Sequence, residues 1–111
     1  MALLLALAVT AEALAPDGSI AQPTAGTQFF SNATIGCGGN CTPFNAGVMV
    51  YVRSGGVDGP VMNSAQGNAV MGSWMLSIQP PQGGWTVGAA TLELIVVDQS
   101  VANVGIEIVG G

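Results

Sequence analysis

From residue 17 onward, apolar side chains recur at every second position in short runs, and Gly, Pro, Asn or Ser interrupts each run. A period of two is the repeat of a half-buried strand, and turn residues at such close spacing leave no room for a helix of ordinary length. In Val48 to Arg53, the side chains of Val48, Val50 and Val52 point one way and those of Met49, Tyr51 and Arg53 the other. Ser73 to Ile78 lines up Trp74, Leu76 and Ile78. Thr91 to Val97 lines up Leu92, Leu94 and Val96, and Val104 to Val109 lines up Val104, Ile106 and Ile108. Gln28 to Ile35 reads as another strand, and shorter ones fall near Ser19 to Ala21 and Val61 to Met62. Ser54-Gly55-Gly56 and Asp58-Gly59-Pro60 are turn chemistry, with Gly free to take positive φ. Gln79-Pro80-Pro81-Gln82-Gly83-Gly84 is a longer turn that no helix can cross. Seven strands in about 95 residues predict an all-β fold, an antiparallel two-sheet sandwich.

Charge narrows what such a sandwich can do. The chain of 111 residues has one basic residue, Arg53, no Lys and no His, and a net charge of −5. Half of it is apolar and 6% is charged, against about a quarter charged in an ordinary soluble domain. One Arg cannot displace the counterions of a nucleic acid or hold an anionic membrane surface. Without His there is no base that titrates near neutrality, and without Lys no Schiff base. Glu93 and Glu107 can approach across strands as a glycosidase pair would, but two solvent-facing strand residues are the reading to prefer. Two Cys without His do not make a zinc site. The expectation is a protein that is not an enzyme and carries no cofactor and no metal. A surface this poor in charge suits contact with other protein, either sister subunits or a lattice.

Residues 1–16 stand apart from the domain at 17–111. MALLLALAVTAEALA is rich in Leu and Ala, and Pro16-Asp17-Gly18 ends it. It is too short for a membrane span, which needs about 20 apolar residues. It matches the apolar stretch and Ala13-Leu14-Ala15 cleavage pattern of a secretory signal, yet has no positive charge at its start. Read as a strand, Leu3, Leu5, Leu7 and Val9 line one face, which suits an arm that completes a neighbour's sheet. Read as a helix, Leu3, Leu4, Leu7, Ala11 and Leu14 form a broad apolar surface. The assembly arm and the cleaved signal both stay open.

Within the domain, Cys37-Gly38-Gly39-Asn40-Cys41 reads as a Gly-rich loop that can close a small disulfide ring, worth about 2 kcal/mol from chain entropy. Two free thiols are the alternative. Asn32-Ala33-Thr34 and Asn40-Cys41-Thr42 match the glycosylation acceptor pattern, one that often arises by chance. Trp74 is in phase with core positions. Trp85 follows two glycines and is expected nearer the surface, as a possible interface residue. Phe29 and Phe30 must place one ring on each face of their strand, so one ring requires cover from elsewhere.

Several segments together resemble bacterial and phage immunoglobulin-like modules. Ser19 to Thr27, with its short strand, Pro23 and Gly26, looks like their opening. Gly47 to Arg53 resembles their strand C. Gly72-Ser73-Trp74, then Pro80-Pro81 and Gly84, then Leu92 to Asp98 resemble their last strands. The resemblance covers about residues 18–110 and rests on fold-level pattern. Cys37 and Cys41 depart from antibody domains, being too close in sequence for the bridge between sheets. The resemblance implies an immunoglobulin-like sandwich without catalytic activity. It also implies a structural role at a virion surface, as a capsid decoration or cement module held by its arm. A secreted or cell-surface binding module with a cleaved signal, or a filament subunit joined by strand donation, is the alternative.

Overall fold

A computed structural model describes residues 15–110 of the chain. Among them are eight strands and no helix. In chain order these are β1 (Asp17–Gln22), β2 (Gln28–Phe30), β3 (Ile35–Thr42), β4 (Gly47–Ser54), β5 (Val61–Asn68), β6 (Ser73–Ile78), β7 (Gly88–Val96) and β8 (Gln99–Val109). They form two sheets, one of three strands in the order β1-β3-β6 and one of five in the order β2-β8-β7-β4-β5. The chain crosses between sheets after β1, β2, β3, β5 and β6, so the two sheets are interwoven as a β-sandwich.

The alternation read from the sequence sets which face is buried. Val48, Val50 and Val52 of β4 pair across with Val96, Leu94 and Leu92 of β7, and all six are buried. Leu92 in turn pairs with Val104 of β8, and Ala90 with Ile106. From the other sheet, Ile35 and Cys37 of β3 oppose Ile78 and Leu76 of β6. These inner faces meet in one core with Trp74 and Trp85. Burying a side chain of this size contributes about 1.5–3 kcal/mol, so the core outweighs any single surface contact.

Two expectations need correction. The sandwich is not wholly antiparallel, because β2 pairs with β8 in parallel, Phe29 opposite Ile108. Three residues after the turn at 23–27 suffice, since the strand crosses from one sheet edge to the other sheet without reversing. The other correction is β3. Residues 37–41 were expected as a loop, and Gln28 to Ile35 as one strand. Instead the chain turns at 31–34, and β3 runs from Ile35 through both cysteines. The strands β5 and β8 are also longer than the short apolar runs at their ends.

Glycine explains why β3 is built of such poor strand formers. A β-carbon on Gly39 would fall on the Ser19 carbonyl oxygen of β1. There the register slips between Ile20 and Gln22, so that Gly39 faces Ile20 and Gly38 faces Gln22. Only a residue without a side chain lets β1 and β3 approach this closely at the bulge. The indole N–H of Trp74 then donates to the carbonyls of both Ser19 and Asn40, each at 3.2 Å. One buried ring thus ties together all three strands of the small sheet.

Candidate interaction surface

The ends of the sandwich, where strands give way to loops, carry most of its exposed apolar side chains. One end holds the start of β1, the turn at 43–46, the turn at 69–72 and the turn between β7 and β8. Phe44, Val70, Met71 and Val97 lie there, with relative exposures of 64, 68, 86 and 48%. The opposite end exposes Phe30, Val57, Val61 and Val87. Among the described residues, Met75 is the one large exposed apolar residue that sits midway, on the outer face of the small sheet.

The first end is held rigidly by main-chain hydrogen bonds. The N–H of Gly72 donates to Phe44 O at 3.0 Å, and the N–H of Cys41 to Gly72 O at 2.9 Å. Val70 and Ser73 exchange both of their main-chain bonds across Met71-Gly72. The Phe44 ring lies against Gly72, where a β-carbon would sit 3.1 Å from Cδ1. Between the turns opens a groove of about 430 Å³, lined by Asp17, Cys41, Thr42, Phe44, Met71 and Gly72.

Backbone geometry singles out the same end. Met71 and Gly72 have φ of 54° and 81°, and Val97 and Asp98 have φ of 48° and 66°. Two-residue hairpin turns with both φ positive are normally made by Asn and Gly. A Met, and still more a β-branched Val, in this region costs about 1–2 kcal/mol. Both side chains extend into solvent instead of being buried in return. Such strain is retained where the rest of the structure over-determines it, commonly at binding sites. Asp17 and Asp98 are the charged groups near these turns, so the rim is weakly acidic and the patch itself neutral.

The residues singled out from the sequence are dispersed. Cys37 and Cys41 are both free and buried. The expected disulfide is therefore absent, and the strand is the reason. Four residues of extended chain set the two about 13 Å apart, against a limit near 7 Å for bridged Cα atoms. Each thiol instead donates weakly to a carbonyl, Cys37 to Leu76 O at 3.6 Å and Cys41 to Pro43 O at 3.7 Å. Burial pushes the Cys37 thiol up to about 11 and raises that of Cys41.

Trp85 is no surface residue: it is 2% exposed. Its indole N–H donates to Ala33 O and its main-chain N–H to Ser31 O, both at 2.7 Å. Gly83 and Gly84, at φ of 89° and 87°, bring the loop close enough for this. The glycines that suggested exposure are thus what lets the ring turn inward. Phe29 packs on the core, whereas Phe30 is exposed, one ring to each face. Asn32, in the turn before β3, and Asn40, on the outer face of β3, are both exposed. Leu3, Leu5, Leu7 and Val9 lie outside the described residues.

The polar cluster on the large sheet's outer face is self-satisfied. Arg53 Nε donates to Glu93 Oε1 at 2.9 Å, and its NH1 nitrogen donates to Gly59 O at 2.9 Å. Ser100 Oγ donates to Glu93 Oε2 at 2.8 Å. Burial raises the Glu93 pKa, but hydrogen bonds from Ser100 and Arg53, with the Arg53 charge, outweigh it and leave it lowered. Glu93 faces Asn103, whereas Glu107 faces Ala89, four residues along β8. That separates their backbone positions by about 13 Å along the strands, and the Glu93 carboxylate is taken up by Arg53 and Ser100.

Phe44, Val70, Met71 and Val97 were not singled out from the sequence. The signal available was position: Met71 and Val97 each sit at the edge of an alternating run, where a turn must fall. No protein-family model matches the chain, and no curated protein is similar to it.

Proposed function

We propose that this chain is a non-enzymatic assembly module, joined to a larger protein particle by its apolar N-terminal segment. The observation that carries this reading is the concentration of exposed apolar side chains at the two ends of a nearly uncharged sandwich. Exposed apolar side chains gathered in this way suit contact with other protein. Few charges have to be desolvated when it is covered. A virion surface is the setting that the resemblance to phage immunoglobulin-like modules implies, with the chain as a capsid decoration or cement protein. An extracellular surface would serve the same physics. The segment Met1 to Ala15 anchors it, by burial of apolar area at about 25 cal/mol per Å².

Deletion of residues 2–15 tests this. The shortened chain is expected to keep the β-sheet circular dichroism of the parent and to lose incorporation into its native particle. Normal incorporation of the shortened chain would refute the anchoring role.

A further inference from the structure

We infer that the groove between Phe44 and Met71 is the acceptor for the N-terminal segment of a second copy of this chain. The inference rests on the assembly reading above and adds the partner and the surface. Three observations converge on this groove.

The first is its chemistry. Phe44 and Met71 line it and are exposed, Val70 is exposed beside Met71, and Asp17 is the one charged residue on its wall. A tight turn holds Met71 outward in a backbone region that ordinarily selects Asn or Gly. A surface that keeps apolar groups exposed at a conformational cost is built to be covered.

The second is the stock of chain that lies outside the described domain. Residues 1–14 carry Leu3, Leu4, Leu5, Leu7, Val9 and Leu14 against a single charge, Glu12. Fourteen residues can span up to about 45 Å, enough to cross from one copy to the next.

The third is where that chain joins the domain. Asp17, Gly18 and Ser19 form one wall of the same groove, paired with Thr42, Cys41 and Asn40. Because root and acceptor are side by side, two copies set end to end can exchange segments, each lying on the other. That arrangement is self-complementary and closed.

Cross-linking of the full chain decides it. Cys37 and Cys41 are buried with raised pKa values, so an introduced cysteine supplies the reactive thiol. Leu7→Cys copies are mixed with Met71→Cys copies and treated with a short bis-maleimide. The same Leu7→Cys copies are mixed with Gln66→Cys copies, whose thiol lies on a different groove, and a double variant carries Leu7→Cys and Met71→Cys in one chain. Covalent dimers between positions 7 and 71, formed at least tenfold faster than between 7 and 66, are expected. Linkage confined to single chains of the double variant would overturn the inference, because the segment would then fold onto its own domain. Rates no faster than with Gln66→Cys would overturn it as well. If that happens while the deletion of residues 2–15 still prevents incorporation, the anchoring role stands and only the acceptor is lost. If the shortened chain incorporates normally, both fall.

Discussion

Cys37 shows how strongly strand geometry overrides local chemistry. Two cysteines separated by two glycines and an asparagine have every local reason to bond. Their shared strand keeps them apart and on one buried face. The thiols are then structural, and their ionisation is opposed by burial. Because the folded pKa of Cys37 is raised, to about 11 from an ordinary 9.0, the unfolded chain loses this proton first. The stability linked to it is fully present below pH 9 and is lost as pH rises from 9 toward 11. Urea unfolding should show the parent's midpoint dropping more between pH 8 and pH 10.5 than that of Cys37→Ala. Equal drops would mean that the thiol is not shielded. At pH 8 neither thiol of the folded protein should react with a colorimetric disulfide reagent, and both should react in urea.

At the scale of elements, β3 and the turn at 71–72 are where reading the chain locally falls short. The strands β4, β6 and β7 were legible because their alternation is strict and their residues are good strand formers. In β3 the alternation of Ile35, Cys37 and Cys41 is present but diluted by Gly36, Gly38, Gly39 and Asn40. Those glycines answer to β1 and β6, which are distant in sequence. Their roles differ, and that difference is testable. A β-carbon on Gly36 meets nothing within 4 Å, whereas on Gly39 it meets the Ser19 carbonyl. Gly36→Ala should be neutral or stabilising by up to about 1 kcal/mol, through reduced freedom of the unfolded chain. Gly39→Ala should destabilise by about 2 kcal/mol or more, because the β1 bulge must open. Chemical denaturation of the two variants gives the comparison. A loss for Gly39→Ala no larger than for Gly36→Ala would contradict the packing described.

For the molecule as a whole, the buried core cluster among the described residues lies between Ile35 and Ile108. The eight described strands of both sheets all lie from Asp17 onward. A chain that starts at Ala15 should therefore unfold in one cooperative transition, with a calorimetric enthalpy near 0.7 kcal/mol per residue at about 60 °C. A broad or split transition would show that the apolar segment is part of the core. The sequence alone determined the fold class, since a period of two broken by turn residues admits little besides a sandwich. It also determined the shortage of chemistry, because composition does not depend on folding. The candidate surface was decided by tertiary structure alone. Phe44, Val70, Met71 and Val97 belong to three separate turns, and only the crossing of the chain between sheets brings those turns to one end. The same crossing buried Trp85 and held Cys37 from Cys41, because which side chains meet is set by strand pairing over long separations.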